Sequence, residues 1–234
     1  MGTFRFKHFE VRNERSAMKV NTDGVLLGAA ATLQESDLRY LDIGTGTGTI
    51  ALMLAQRSPS ARIDAIDIDA PSAEEAAGNF SASPWPERLR ALHTSLQEFR
   101  PEGLYDLIVS NPPYFDNSLL NPDGRTSTAR HSLTLSYREI AEFAAGALAP
   151  SGRLSLILPA DCEKTLCRTL RSFGLHPFRI LRIRSSERKA PSRIIVESSL
   201  LRTDSPAEGE LLISKGGKYS EEYLSLTRDF YLFS

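Results

Sequence analysis

The chain has 234 residues, of which 41% are hydrophobic and 24% are charged, and its formal net charge is −1. This composition is typical of a soluble globular protein with enough apolar chain to build a core. Seven charged side chains fall within the first twenty residues, and apolar runs elsewhere, such as 25–27 and 52–54, are short. We therefore expect neither a signal peptide nor a membrane span, and we expect a cytoplasmic protein.

The cysteine and histidine content argues against a metal centre. Cys162 and Cys167 are the only two cysteines, and their spacing of five residues matches no zinc-binding pattern. The four histidines are scattered along the chain. We therefore expect neither a disulfide scaffold nor a bound metal ion.

Apolar runs and turn residues predict alternating strands and helices. Strands are predicted at 39–43, 62–68, 89–92, 105–110, 153–158, 178–184 and 193–201. Helices are predicted at 48–57, 71–82, 136–149 and 161–173. This alternation predicts an α/β fold with a doubly wound, seven-stranded, mostly parallel sheet, in which the last two strands form a C-terminal antiparallel hairpin.

A glycine-rich turn follows the first predicted strand. Asp42 lies near the end of that strand, and Gly44, Gly46 and Gly48 follow at alternate positions. Glycine allows the backbone to turn tightly and to approach a ligand closely. Asp67 comes near the end of the next strand, where a carboxylate can accept both hydroxyl groups of a ribose. The pattern predicts a nucleotide site, and the alternative is a turn with only a packing role.

The residues around the glycines also indicate which nucleotide binds. Position 49 is Thr, which breaks the G-x-G-x-x-G register of dinucleotide folds. The carboxylate of Asp42 would repel a pyrophosphate but can contact an ammonium group, directly or through water. S-adenosylmethionine carries an ammonium group and no phosphate. We therefore favour S-adenosylmethionine as the cofactor, with a nicotinamide oxidoreductase as the alternative.

The tetrad Asn-Pro-Pro-Tyr follows the predicted strand at 105–110. The Asn111 side-chain oxygen and the Pro112 carbonyl can accept both hydrogens of an exocyclic amino group, which leaves the nitrogen lone pair facing an electrophile. Tyr114 can stack on a flipped base, and Pro112 and Pro113 stiffen the loop. The tetrad predicts methylation of an amino group, and the alternative is an ordinary turn.

Basic residues are concentrated in one part of the chain. Residues 164–193 hold nine lysines and arginines and one acid, whereas residues 61–106 hold four arginines and nine acids. This asymmetry predicts a basic face that contacts phosphate groups, and a solvated helix and strand edge is the alternative. The candidate contacts are Arg168, Arg171, Arg182, Arg184, Arg188, Lys189 and Arg193.

Several motifs together resemble a known family. They are Phe-Lys-His-Phe at 6–9, Lys-Val-Asn-Thr-Asp-Gly at 19–24, the glycine turn at 41–48, Asn-Pro-Pro-Tyr at 111–114 and Phe-Tyr-Leu-Phe at 230–233. The chain resembles the class I S-adenosylmethionine-dependent methyltransferases that act on amino groups, and within them the bacterial family that methylates adenine 37 of a valine tRNA. The resemblance runs nearly from end to end. It implies methyl transfer to the 6-amino group of an adenine in the anticodon loop.

The resemblance also implies residue roles. Asp67 would bind the cofactor ribose and Ile68 would flank its adenine, while Thr22 and Asp23 would close the pocket from the N-terminal side. Ser95 lies where related enzymes often have an acid that accepts the adenine 6-amino group, and its hydroxyl would bond more weakly. The residues implied at the methionine end of the cofactor and at the target base are Asp42, Gly44, Gly46, Gly48, Asn111, Pro112, Pro113 and Tyr114.

We expect one methyltransferase domain, in which residues 1–37 form an N-terminal extension that closes the cofactor pocket and residues 38–234 form the Rossmann-like core. The expected partner is the anticodon stem-loop of tRNA, because single-stranded loops present bases that can be extruded. The polar loop at 115–131 is long enough to be functional. We expect a monomer that uses no metal ion and no membrane.

Other substrates fit some of the same motifs. A glutamine amide of peptide release factors also suits Asn-Pro-Pro-Tyr, although those enzymes carry a helical domain before the glycine turn and only 41 residues precede Asp42 here. Guanine amino groups of ribosomal RNA are a further alternative, although such enzymes tend to have Phe in place of Tyr114. A non-catalytic RNA-binding protein is the alternative from another class. It predicts loss of Asn111 or of the glycines, and both are present.

Overall fold

The computed structural model of the chain describes residues 2–16, 18–112 and 136–232. Its strands are β1 (Thr3–Arg5), β2 (Glu10–Arg12), β3 (Arg39–Ile43), β4 (Arg62–Asp67), β5 (Leu89–His93), β6 (Tyr105–Ser110), β7 (Leu148–Pro159), β8 (His176–Ser186), β9 (Arg193–Ser199), β10 (Ala207–Lys215) and β11 (Lys218–Tyr219). Its α-helices are α1 (Thr22–Ala30), α2 (Thr49–Arg57), α3 (Ala70–Ser81), α4 (Tyr137–Ala147), α5 (Glu163–Ser172) and α6 (Glu221–Thr227). All seven predicted strands and all four predicted helices are therefore present.

Within the described part of the chain, nine strands form one sheet in the order β11-β10-β8-β9-β7-β6-β3-β4-β5. The strands from β5 across to β7 are parallel, whereas β9 runs antiparallel between β7 and β8. The predicted doubly wound sheet with a closing antiparallel hairpin is confirmed. The sheet is wider than the predicted seven strands, because β10 pairs with the outer side of β8 and β11 folds back on β10.

Each face of the sheet carries its own apolar layer. One layer includes Val25 of α1 and Leu52 of α2, and the other includes Ile140 of α4 and Leu166 of α5. Helices on both faces leave the ends of the strands accessible. The strand order reverses at β3, which lies between β4 and β6. Open α/β sheets bind their ligands at such a switch point, beyond the carboxyl ends of the strands.

The N-terminal strands β1 and β2 pair with each other as a separate two-stranded antiparallel sheet, and the residues around them are held by a helix cap and by a contact with residue 230. Asn21 caps α1, because its side-chain oxygen accepts the Gly24 backbone N–H at 2.8 Å. The Lys7 backbone N–H donates to the Phe230 carbonyl at 2.8 Å. None of the described helices has the length and apolarity needed to cross a membrane. Among the described residues, no three His, Cys, Asp or Glu side chains are grouped to hold a metal ion.

Candidate active site

The glycine turn after β3 adopts a backbone conformation that favours glycine. Gly44, Gly46 and Gly48 have φ angles of 72°, 56° and 81°, all in the left-handed region. A Cβ atom on Gly48 would lie 2.5 Å from a ring carbon of Phe80, so this glycine is required for packing. A Cβ atom on Gly44 would meet nothing within 4 Å. Gly44 therefore leaves room for a ligand beside the carboxyl end of β3.

Asp42 is fully buried next to this turn. Its Oδ2 accepts a hydrogen bond from Thr45 Oγ1 at 2.6 Å, whereas its Oδ1 has no hydrogen-bond partner among the described residues. Burial raises the pKa of Asp42 to about 7, whereas the Thr45 hydroxyl and the Ala51 backbone N–H favour the charged form and the Asp67 carboxylate adds a smaller increase. A buried oxygen without a partner is costly unless a ligand satisfies it. The ammonium group of S-adenosylmethionine fits this requirement.

Asp67 fastens the glycine turn to the end of β4. Its Oδ2 accepts the Gly46 backbone N–H at 2.8 Å, and its Oδ1 accepts that of Asp69 at 2.9 Å. Burial raises the pKa of the Asp67 carboxyl group, although these two N–H groups favour its charged form. Each oxygen keeps a further lone pair for a ribose hydroxyl. Ile68 follows directly and is 52% exposed, so an apolar side chain is available beside the predicted ribose position.

Ser95 lies beyond β5, in the turn that follows the strand. Its hydroxyl donates to Glu98 Oε2 at 3.1 Å and accepts the Glu98 backbone N–H at 3.2 Å. The hydroxyl therefore caps this turn in the structure. The contact between Ser95 and the cofactor adenine stays a prediction, and it requires the hydroxyl to use its remaining lone pair.

N-terminal residues form one wall of a cleft beside the glycine turn. The cleft is lined by Met18, Lys19, Val20, Asn21, Gly24, Gly44, Thr45, Gly46, Thr47, Thr49, Ile50 and Asn111. The two predicted closing residues, Thr22 and Asp23, form the first turn of α1. Asp23 Oδ2 accepts a hydrogen bond from Arg193 Nε at 2.7 Å. Of residues 21–24, Asn21 and Gly24 line the cleft, on either side of the two predicted residues.

Asn111 brings the Asn-Pro-Pro-Tyr tetrad to the same cleft. It follows β6 directly, and its Nδ2 lies 3.8 Å from the sulfur of Met18 in the opposite wall. Ser110 Oγ donates to the Ile43 carbonyl at 2.7 Å, which holds the carboxyl ends of β6 and β3 together. Pro112 is buried beside Asn111. The remaining predicted features of this loop, Pro113, Tyr114 and the segment at 115–131, lie outside the described residues.

Comparison with known proteins identifies the family. Residues 22–172 match the family described as Methyltransferase small domain. The chain is 41% identical over 232 residues to the tRNA1(Val) (adenine(37)-N6)-methyltransferase of Bacteroides fragilis, which covers 98% of this chain and 97% of that protein. Proteins of the same name from Phocaeicola vulgatus and Aliivibrio fischeri are 44% and 38% identical, with the same two coverages. The chain belongs to this family.

As a member of this family, the chain is an S-adenosylmethionine-dependent methyltransferase, which removes the nicotinamide oxidoreductase alternative. Solved structures share its fold. A predicted O-methyltransferase from Agrobacterium tumefaciens aligns with a TM-score of 0.68 at 16% identity, over 89% of this chain and 96% of that one. A putative class I S-adenosylmethionine-dependent methyltransferase from Listeria monocytogenes aligns with a TM-score of 0.56 at 14% identity, over 80% and 62%. At these identities the likeness establishes the fold alone.

Several of the arginines that are predicted to contact phosphate groups form ion pairs within this methyltransferase. Arg184 Nη1 lies 2.9 Å from Glu210 Oε1, and Arg193 is paired with Asp23. Arg182 forms ion pairs with two further glutamates, Glu163 and Glu208. The basic residues between 164 and 193 that have no ion-pair partner among the described residues are Lys164, Arg168 and Arg171 on α5, and Arg188 and Lys189 in the turn after β8.

Sequence reasoning missed three polar residues of α3 that contact residues 12–16, just before the N-terminal wall of the cleft. Ser72, Glu75 and Asn79 are all buried. Their spacing of three and four residues places them on one face of the helix. That spacing is the available signal, but a polar stripe normally marks the face of a helix that solvent covers.

Proposed function

We propose that this chain transfers a methyl group from S-adenosylmethionine to the 6-amino nitrogen of adenine 37 in tRNA1(Val). The observation that carries the proposal is the position of Asn111, which lines the same cleft as the glycine turn. Relatives that bear the name of this reaction are 38% to 44% identical over nearly the whole chain. Similarity of that extent favours the same substrate.

The proposed chemistry depends on positioning. S-adenosylmethionine supplies an electrophilic methyl group when it is bound. Asn111 Oδ1 and the Pro112 carbonyl oxygen accept the two hydrogens of the adenine amino group, so that the nitrogen lone pair faces that methyl group. The adenine lone pair is delocalised into its ring, and fixed acceptors offset this weakness without a covalent intermediate. The transfer would form a bond between the nitrogen and the methyl carbon and break the methyl–sulfur bond, so that S-adenosylhomocysteine leaves, and the nitrogen would release one proton to solvent.

The remaining predicted residues hold the cofactor and the base. Asp42 contacts the cofactor ammonium group through its Oδ1, and the lack of a hydrogen-bond partner for that oxygen among the described residues supports this contact. Asp67 binds the ribose hydroxyls and Ile68 lies against the cofactor adenine. Tyr114 stacks on the target base after it is extruded from the anticodon loop. Pro113 stiffens that loop.

The tRNA backbone contacts the basic residues that have no ion-pair partner among those described. These are Arg188 and Lys189 in the β8–β9 turn and the α5 face formed by Lys164, Arg168 and Arg171. Arg184 and Arg193 already have carboxylate partners, so they add little positive charge to this surface. The chain acts as a monomer in the cytoplasm, with residues 1–37 serving to close the pocket of the core formed by residues 38–234.

Methyl transfer from labelled S-adenosylmethionine to an unmodified tRNA1(Val) transcript tests the proposal. The RNA is digested to nucleosides and analysed by mass spectrometry, and a transcript with guanosine at position 37 is the control. A 6-methyladenosine product that is absent from the control supports the assignment. Transfer to a release-factor glutamine or to ribosomal RNA guanine, with none to either transcript, would redirect it.

A further inference from the structure

The N-terminal wall of the cleft is held in place by α3. Residues 13–16 and 18–20, here called the strap, cross from β2 to α1 and include the lining residues Met18, Lys19 and Val20. Next to the strap, Asn79 Oδ1 accepts the Arg12 backbone N–H at 2.8 Å, and Asn79 Nδ2 donates to the Arg12 carbonyl at 3.0 Å. The strap therefore starts from a fixed point on α3.

Glu75 makes the densest set of contacts with the strap. Its Oε1 accepts the backbone N–H groups of Glu14 at 2.7 Å and Arg15 at 2.9 Å, and its Oε2 accepts that of Ser16 at 2.8 Å. Glu75 is only 6% exposed. Burial alone would raise the pKa of Glu75, but the three N–H groups outweigh it and hold the pKa below its ordinary value. A buried carboxylate with three charge-assisted hydrogen bonds is a strong anchor.

The anchored residues lead directly to the reaction centre. Ser16 Oγ donates to the Met18 carbonyl at 3.0 Å and lies 3.1 Å from Ser72 Oγ. A Cβ atom on Gly46 would lie 3.3 Å from Ser16 Oγ, so the strap rests on the glycine turn. The Met18 side chain extends to within 3.8 Å of Asn111 Nδ2. A continuous set of contacts therefore joins Glu75 to Asn111 without Glu75 lining the cleft itself.

We propose that Glu75 is a positioning residue for methyl transfer: its carboxylate fixes the strap, and the strap fixes Met18 against the glycine turn and Asn111. This inference rests on the proposed function, because it takes the cleft as the place where cofactor and target base meet. Glu75 contacts neither ligand. Loss of the Glu75 carboxylate therefore disturbs the geometry of the wall. Cofactor affinity should fall more than the stability of the folded protein.

The first test compares Glu75→Gln with Glu74→Gln in the full chain. Glu74 is the control, because it precedes Glu75 on the same helix and, among the described residues, its side chain contacts the strap only through an exposed ion pair with the Arg15 side chain. Glutamine at 75 keeps one acceptor oxygen but turns an N–H donor toward a backbone N–H. We expect Glu75→Gln to weaken S-adenosylhomocysteine binding roughly tenfold and to speed tryptic cleavage after Lys19, because the strap loses charge-assisted hydrogen bonds. Glu74→Gln should match the wild type in both.

The second test uses only the wild type, so it holds even where Glu75→Gln fails to fold. Hydrogen exchange of the strap amides at Glu14, Arg15 and Ser16 should be slow and should slow further with S-adenosylhomocysteine. Rapid exchange at these amides, unaffected by the ligand, would overturn the proposal. So would equal ligand affinity and equal cleavage in the two variants, with the methyltransferase function left standing. Failure of the wild type to bind S-adenosylhomocysteine would overturn both the function and the inference.

Discussion

Arg193 Nε donates to Asp23 Oδ2 across 2.7 Å, and this bond joins the first residue of β9 to the first turn of α1. The pair is partly exposed, with side-chain exposures of 34% and 20%. Arg193 lies in the basic segment that suggests RNA contacts, and Asp23 lies in the motif that suggests cofactor closure. The structure gives both residues a common task, which is to hold α1 against the sheet beside the cleft.

The Asp23–Arg193 pair predicts a cofactor effect rather than an RNA effect. Arg193→Gln and Asp23→Asn should each weaken S-adenosylhomocysteine binding, and the double variant should be no worse than either. The coupling free energy should be about 0.5–1 kcal/mol, as for other partly exposed pairs. Calorimetric titration of the four proteins measures it. A reduced salt dependence of tRNA binding in Arg193→Gln, with unchanged cofactor affinity, would show instead that Arg193 contacts phosphate.

Asn111→Ala should abolish methyl transfer while cofactor binding survives. The side chain supplies one of the two acceptors for the amino group, and the glycine turn and Asp67 remain intact in this variant. Single-turnover transfer to tRNA1(Val) and titration with S-adenosylhomocysteine separate the two effects. Transfer at the wild-type rate in Asn111→Ala would remove the residue from the mechanism.

The raised pKa of Asp42 predicts that cofactor binding depends on pH. The carboxyl group titrates at about 7 because it is buried, and the cofactor ammonium group needs the ionised form. Affinity should therefore rise from about pH 6 to about pH 8 and then level off. The stability of the ligand-free protein should fall as the pH rises toward 7. Over this range Asp42 keeps its proton in the folded state, whereas the unfolded chain has already released it. Measuring cofactor affinity across this pH range in the wild type and in Asp42→Asn checks this. An equal dependence of affinity on pH in the two proteins would contradict it.

Gly44 and Gly48 form a matched pair, because both have left-handed φ angles, at 72° and 81°, and different surroundings. Alanine at either position should cost about 1–2 kcal/mol of backbone strain. Gly48→Ala adds a clash with Phe80 and should lower the melting temperature much further. Gly44→Ala places its methyl group in the cleft and should lower cofactor affinity more than stability. Thermal melts with and without S-adenosylhomocysteine separate these outcomes. A larger loss of stability in Gly44→Ala than in Gly48→Ala, with cofactor affinity retained, would refute the assignment of Gly44 to the ligand.

The basic surface predicts which arginines set the salt dependence of tRNA binding. Arg188→Glu should reduce the slope of log K against log salt by about 0.7–0.9, the value for one phosphate contact. Arg62→Glu is the control, because Arg62 is exposed at the amino end of β4, away from the cleft. Filter binding across a salt series measures the slopes. Equal slopes in the two variants would place the RNA elsewhere.

The predictable part of this fold follows from apolar patterning. The strands β3 to β9 carry apolar runs bounded by turn residues, and the helices α2 to α5 are bounded by the usual helix-starting and helix-ending residues. The helix α1 lacks such a signal, because almost every residue in it is buried and it contains Gly24 and Gly28. Gly28 is needed there, since a Cβ atom would lie 2.9 Å from the sulfur of Met53. The strand β10 is exposed over its first half and therefore shows no alternation.

The residues of the site that bind a ligand could be predicted, because the ligand requires particular residue types. The residues that bind other parts of the protein could not, because their partners come together only in the folded chain. The glycine turn, Asp42, Asp67 and Asn111 meet at one edge of the sheet, as their positions after parallel strands suggest. The charge count over 164–193 does not reveal which of its arginines are paired, because strand pairing brings Glu210 to Arg184 from outside that segment. The role of Glu75 was equally hidden, since backbone N–H groups are its only hydrogen-bond partners among the described residues and they leave no trace in the sequence.

The placement of β9 between β7 and β8 has a consequence for the order of events on the ribosome. The glycine turn, Asp67 and Asn111 all precede β7 in the chain, and β8 emerges before the strand that pairs with its inner edge. The partner of Asp23 follows it by 170 residues. A growing chain can therefore form the floor of the cleft long before it can brace the first turn of α1. Only a chain that has been synthesised past Arg193 can make this bond between α1 and β9.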